Sequence, residues 1–510
     1  MGALAKAWRV GVLAALTAIA QPSLAEEPAA MDRAAVYARL DQQFEAFARE
    51  RHVPGLVYGV VVDGKLAHVK AFGVQDVVAK RPVTADSVFR IASMTKNFTA
   101  LAVLSLRDQG KLSLDAPVES LVPQFAAMRR PDANPVRVRD LIGHTGGFVT
   151  DDPWGDRQLD MTDAAFDAFI SGPPPRSRPS QTAFEYSNFG YAALGRVIST
   201  ASGQPYADYV RDTILAPLGM AASGFEVTAI PAEHRALGYA WIEDAWVEQP
   251  MLSHGAFGSM GGLSVSANDY ARYVAWLLDA WPARDAPQAG PLTRATVREI
   301  AMGYGPPQVQ PRTDRDDPDA CDRAAVYGAG TILVNDCELG FYMTHSGGLP
   351  GYGSNVLLMP DRGVGVFAFA NVTYAPASFA TRDAALELEK SGLFPPRDPP
   401  ASEALERARD AVVHAYAVGD IADTPDTLAM NFLLDRDAKR WNRELWDLAD
   451  KIGLCSKAAP IQAKSAMSGT FTLLCERGEL DVMVTLAPTT PQTIQRLTLT
   501  PRPATPAAKS

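Results

Sequence analysis

Apolar and polar positions along the chain change period several times, and the changes divide it into strand-like and helix-like stretches. From Leu56 the sequence reads LVYGVVVDGKLAHVKAFG, two apolar runs around Asp63-Gly64. An Asp-Gly pair between such runs predicts a β-hairpin. The pattern then turns helical. Leu101, Val103, Leu104 and Leu106 recur at helical spacing between Asn97 and Gly110, with Gly110 as a stop. Leu194, Val197 and Ile198 repeat the pattern between Asn188 and Gly203, and SANDYARYVAWLLDAW (Ser266 to Trp281) gives a third helix, with an Asn or Asp near its start as cap.

Strand character returns late. AAVYGAGTILV (Ala324 to Val334), LGFYMTHSG (Leu339 to Gly347) and SNVLLMPDRGVGVFAFAN (Ser354 to Asn371) read as consecutive antiparallel strands with short turns, followed by a helix at Thr381 to Lys390. An early hairpin, a helical middle and late strands predict an α+β fold in which one antiparallel sheet joins both ends of the unit. The Pro-rich residues 394–401 read as a linker. Beyond them, helices at Glu403 to Ala417 and Ala438 to Ile452 precede three more strands, so 402–510 is expected to form a small α+β domain behind a main unit over 26–393.

Residues 1–25 carry Lys6 and Arg9, an apolar run from Val10 to Ala20 and small residues at Ser23 to Ala25. That is the build of a secretory signal peptide, the alternative being a membrane anchor for which the run is short. Export to a periplasmic or extracellular compartment is therefore expected, with no membrane span in the mature chain. It also makes the four cysteines readable as two local disulfides, Cys321 with Cys337 and Cys455 with Cys475, against the alternative of buried thiols. The first pair flanks the first of the late strands and would staple that hairpin, and the second would tie a helix end to a strand.

The 510 residues are 47% hydrophobic and 21% charged, a globular composition, and a formal net charge of -10 disfavours nucleic acid and anionic membrane as partners. Gly59 to Lys65 spells G-x-x-x-x-G-K, but Leu66 stands where a phosphate loop needs Ser or Thr, and the segment is a predicted hairpin. No G-x-S-x-G or H-E-x-x-H occurs, and the seven histidines are scattered. No metal or other cofactor is expected, and the partner is a small-molecule or peptide substrate.

Ser93-Met94-Thr95-Lys96 puts a serine and a lysine on one helical face. A desolvated lysine has a lowered pKa and can take the serine proton, and the helix N-terminus favours the charge that develops. Two further segments add weight: Tyr186-Ser187-Asn188 ahead of a helix, and His345-Ser346-Gly347-Gly348 on a late strand. With LIGHTGGF, LAPLGM and GSMGGLSVSANDYARY, these motifs resemble, from Val53 to Asn371, the serine-reactive penicillin-recognising proteins. That group holds class C β-lactamases, D-Ala-D-Ala carboxypeptidases, D-aminopeptidases and related esterases.

The resemblance implies that Ser93 is the acylated nucleophile, that Lys96 and Tyr186 share the proton work, and that Asn188 orients Lys96 and a substrate amide. It places the oxyanion hole at the backbone N–H groups of Ser93 and Gly348, with His345 to Gly348 as a substrate-binding strand. A Tyr186 beside a cationic Lys96 is expected to have a lowered phenol pKa. His345 stands where many relatives carry a lysine for a substrate carboxylate, and a histidine of ordinary pKa near 6.5 is mostly neutral at pH 7. Esters, or amides with a D-residue and no obligatory carboxylate, are the expected substrates. A β-lactamase, a D-Ala-D-Ala carboxypeptidase and a penicillin-binding sensor without turnover stand as alternatives. His144 is expected to be structural.

Overall fold

The computed structural model describes residues 32–172, 176–284, 286–310 and 322–504. The signal-peptide reading of residues 1–25 and the expected role of Cys321 lie outside them.

The hydrophobic runs read above as strands gather in a nine-stranded sheet. Gly55–Val62 and Lys65–Asp76 turn about Asp63-Gly64, where Gly64 takes φ 74° as a tight hairpin turn requires. Gly55–Val62 then pairs antiparallel with the late strand Val364–Ala370, Val60 facing Val366, and the sheet continues through Tyr352–Met359 and Gly340–Leu349 to Ile332–Asp336 and Arg323–Tyr327. Both ends of the unit thus meet in one sheet, and the fold class is α+β as read from the sequence.

Continuous apolar runs rather than alternation mark these central strands because both faces are covered. Val57, Val61, Phe367 and Phe369 enter the core shared with the helical middle. Leu56, Tyr58, Val60, Val366 and Ala368 enter a second core under the helices Arg33–Glu50 and Ala377–Lys390. The run Ala324 to Val334, read as one strand, is two, Arg323–Tyr327 and Ile332–Asp336, because the chain reverses between them and Gly330 takes φ 68°. The helix Ala267–Leu278 is capped by the Ser266 hydroxyl, which accepts from the Asp269 N–H at 3.2 Å, and not by an Asn or Asp.

Between the first and last strands lies the helix Thr95–Asp108, whose residues from Thr95 to Leu106 are all buried. Phe98 stacks on Tyr273 at 3.9 Å, and Asn97 joins the Tyr273 hydroxyl to the Ala329 carbonyl. Packing on every side fixes this helix, and with it whatever its first turn carries.

The chain after Ser402 builds its own core. Helices Glu403–Val418 and Ala438–Ile452 cover an antiparallel sheet of Cys455–Ala458, Ser468–Cys475, Gly478–Leu486 and Ile494–Pro503, with Gln462–Ser465 beside the second of these. Cys455 and Cys475 are bonded and are register partners on adjacent strands, so this disulfide crosses a strand pair and does not tie a helix end. Cys337 is also disulfide-bonded. Among the described residues no helix is long and apolar enough to cross a membrane.

Phe98→Ala removes a ring that is fully buried in the main core. We expect a loss of about 3–5 kcal/mol, read as a lower urea midpoint with an unchanged slope.

Candidate active site

The strand Val88–Arg90 leads into a single 3-10 turn, Ala92–Met94, and then into the buried helix. Ala92 holds φ 49°, a left-handed conformation disfavoured for a residue with a Cβ, directly before Ser93. Ser93 therefore sits on a sharp strand-to-helix turn, one helical turn ahead of Lys96.

Lys96 is completely buried, yet its ammonium has three acceptors: Ser93 Oγ at 2.9 Å, Asn188 Oδ1 at 2.7 Å and the Met260 carbonyl at 2.9 Å. Burial lowers its pKa to about 8, against the opposing pull of Asp152, Asp156 and Asp151. Two of the three acceptors, an amide oxygen and a carbonyl, cannot donate. Once Lys96 is neutral they hold its two N–H bonds, and the nitrogen lone pair is left facing Ser93.

Asn188 is locked by its neighbours. Its Nδ2 donates to Asp152, so its oxygen must face Lys96. The Asp151 carboxylate accepts from the backbone N–H groups of Asn188 at 2.7 Å and Phe189 at 2.8 Å, capping the helix Asn188–Ser202 together with Ser187, whose hydroxyl accepts from Gly190 at 3.2 Å. Capping falls to Asp151 and Ser187, which frees the Asn188 side chain for Lys96.

Tyr186 lines the same cleft as Ser93, and the Lys96 ammonium lies 4.9 Å from its ring centroid. The expected lowering of its pKa is not found. Burial raises the phenol well above its usual value and the Asp152 charge adds to this, with only the Ser93 hydroxyl opposing. Lys96 faces the ring and spends its charge on three acceptors, so it does little to stabilise a phenolate. Tyr186 stays protonated at neutral pH.

His144 stands behind this group, at φ 55° and 3% exposed. Its Nδ1 accepts from the Ser187 N–H at 3.0 Å, and its ring lies 4.4 Å from that of Tyr186. Burial, with Lys96 and His345 nearby, pushes its pKa well below the usual value. It holds the Tyr186-Ser187-Asn188 segment in place as a neutral acceptor.

The strand Gly340–Leu349 forms the other wall. A Cβ on Gly347 would fall 2.1 Å from the Ile91 carbonyl, so only glycine lets the strand approach the turn that carries Ser93. His345 has both ring nitrogens engaged. Nδ1 donates to the Ser346 carbonyl at 2.7 Å, which makes Nε2 the acceptor of the Tyr327 hydroxyl at 2.9 Å. Burial lowers its pKa to about 4, with Lys96 acting in the same sense, so it is neutral. Ser346 is exposed and accepts from Asn355 Nδ2 at 2.9 Å.

Ser93, Tyr186, His345, Gly347 and Gly348 thus line one cleft of about 650 Å³, with Tyr374 across it. Tyr374 donates to Asp156 at 3.0 Å, and burial raises the pKa of Asp156 to about 6. Among the described residues no group of three or more His, Cys, Asp or Glu side chains could hold a metal ion.

Sequence reading assigned no role to Met260, although it lies in GSMGGLSVSANDYARY, nor to Asp151, Asp152, Asp156, Tyr327 or Tyr374. The three aspartates share the segment TDDPWGD, whose acidic density is its only local signal.

Comparison with known proteins agrees with this architecture. The family model described as Beta-lactamase matches residues 40–390. Protein flp of Staphylococcus aureus (strain MW2) is 27% identical over 346 residues, which is 66% of this chain and 64% of that protein, so the chain spans less than two thirds of this relative. Penicillin-binding protein 4 of Amycolatopsis lactamdurans is 37% identical over 189 residues, 36% of this chain and 48% of that protein. Two solved structures share the fold. The octameric penicillin-binding protein homologue from Pyrococcus abyssi has TM-score 0.55 and 20% identity, covering 91% of this chain and 99% of its own. The D-alanine carboxypeptidase AmpC from Burkholderia cenocepacia has TM-score 0.56 and 18% identity, covering 70% and 100%. With well over half its length matched, the chain belongs to the beta-lactamase family, whose serine-hydrolase character the cleft at Ser93 suits.

Proposed function

We propose that the protein is an exported serine hydrolase that cleaves an ester or amide, including D-amino-acid amides and peptides, through an acyl-enzyme on Ser93. The observation that carries this reading is the Lys96 amine: fully buried, with a pKa near 8, 2.9 Å from Ser93 Oγ. Neutral Lys96 takes the Ser93 proton as Oγ attacks the substrate carbonyl, and the backbone N–H groups of Ser93 and Gly348 hold the oxyanion. Tyr186, protonated, gives its proton to the leaving oxygen or nitrogen, and the proton held by the Lys96 ammonium restores the phenol through the water that enters as the leaving group departs. Water then attacks the acyl carbon while neutral Lys96 takes its proton, and the Lys96 ammonium returns that proton to Ser93 Oγ as the acid leaves.

Substrates with an obligatory carboxylate fit less well. His345 is neutral with both nitrogens engaged, so the strand offers no fixed positive charge there. The similarity to a carboxypeptidase fold is therefore read as shared chemistry at the serine, not shared recognition. We take 26–393 as the catalytic unit, joined by 394–401 to a separate unit over 402–510. Export rests on the apolar run Val10 to Ala20 together with the disulfide Cys455–Cys475.

A fluorophosphonate should add to Ser93 on the intact protein, seen by mass, and Ser93→Ala should abolish the adduct. No adduct on the wild type would remove the enzyme reading. For a short p-nitrophenyl ester, kcat/KM should rise with pH to a plateau above about pH 8, because protonated Lys96 cannot act as a base and its pKa is about 8. Lys96→Met should lower kcat/KM by about 10²–10⁴-fold and remove that limb. Turnover of cephalosporins far exceeding that of esters and D-amino amides would overturn the substrate assignment.

A further inference from the structure

Beside the catalytic cleft is a second cavity of about 320 Å³, in the size range of a small-ligand site. Its walls are the rings of Phe148, Trp154, Phe169 and Phe189 with Val149 and Asp151, whose carboxylate is taken up by the Asn188 and Phe189 N–H groups, and Thr150 stands in the wall of both this cavity and the catalytic cleft. The rings pack edge to face: Phe148 and Phe169 lie 4.8 and 5.6 Å from Phe189. Trp154 is 6.0 Å from both Phe169 and Phe257.

Two features mark the cavity as more than a packing gap. Val149, Trp154 and Phe169 are 45%, 46% and 36% exposed, so apolar surface that folding ordinarily hides is gathered around one opening. The wall is also held by the catalytic machinery. Phe189 follows Asn188 directly. The loop that carries Val149 and Trp154 is pinned from behind by the Asp151 carboxylate on the Asn188 and Phe189 N–H groups, and by the bond from the Gly155 N–H to the Asp151 carbonyl at 2.7 Å.

The geometry points to this cavity as a subsite that takes an apolar substituent of the substrate, an alkyl chain or an aromatic ring extending past Thr150 from the reacting carbonyl. The occupant is the substrate itself because the cavity and the cleft share a wall. The inference rests on the hydrolase reading in that the substrate is whatever Ser93 attacks, but the cavity can be probed without catalysis.

Two ester series decide it on the full chain: p-nitrophenyl esters from acetate to octanoate, and alkyl acetates from ethyl to octyl. In one series kcat/KM should climb about fourfold per added methylene until the cavity is full, through KM with kcat nearly constant. Phe169→Asp should flatten that climb, seen as a collapse of the longest-to-shortest ratio. In parallel, calorimetric titration of Ser93→Ala with 1-octanol should show saturable binding that Phe169→Asp weakens at least tenfold, with the Phe169→Asp melting curve reporting its folding. Saturable octanol binding with no ester turnover would sink the hydrolase reading and leave the apolar site standing. Turnover that ignores chain length in both series, or octanol that does not bind, would overturn the subsite.

Discussion

An ammonium cannot be left in a protein interior without acceptors, and the buried Lys96 has three. That requirement organises the molecule around it. Ser93, Asn188 and the Met260 carbonyl come from three separate parts of the chain, and each must be placed to a few tenths of an ångström for the charge to be tolerated. Asn188 is held by Asp152 from behind, and its helix is capped by Asp151. The Thr95–Asp108 helix is packed on all sides. The same contacts that make the charge bearable also leave the neutral amine one direction for its lone pair, toward Ser93, which is what the proposed base role needs.

The opposite wall obeys a steric constraint instead. Ile91, Ala92 and Ser93 run close under the strand Gly340–Leu349, and Gly347 has no room for a Cβ against the Ile91 carbonyl. Ala92 carries an unfavourable φ in the same turn. Local cost is thus concentrated in the residues that present Ser93 and is borne by the surrounding sheet and helix. Strain at one such turn, held by well-packed elements, suits the nucleophile role proposed for Ser93.

How much of this was legible in the sequence depended on how local the cause was. The hairpin at Asp63-Gly64, the helices at Asn188 and Ala438 and the late strands followed from period and turn residues. The helix Arg33–Glu50 was not singled out, although Val36, Leu40, Phe44 and Ala48 recur every four residues; its weakly apolar face sits against the outer side of the sheet. Ala324 to Val334 read as one strand because Gly328 and Gly330 do not by themselves reveal a reversal. Motif order carried Ser93, Lys96, Tyr186 and Asn188, but not their environment. The phenol of Tyr186 was expected to be acidic from its neighbour's charge, and burial reversed the sign. Asp151, Asp152 and Met260 act through proximity in space, and the acidic density of TDDPWGD is the only local signal that two of them carry.

That environment explains why Lys96 has the basicity it does. Burial alone would depress the amine further and make it a poor acceptor for a serine proton. Asp152, Asp156 and Asp151 pull the other way, and the result is a pKa near 8. A base that is too weak cannot deprotonate serine, and one that is too strong is never neutral, so the useful range is narrow. Asp156 is buried beside Tyr374, and burial raises its own pKa to about 6, so part of the charge that holds the Lys96 pKa up is itself lost as the pH falls through that value.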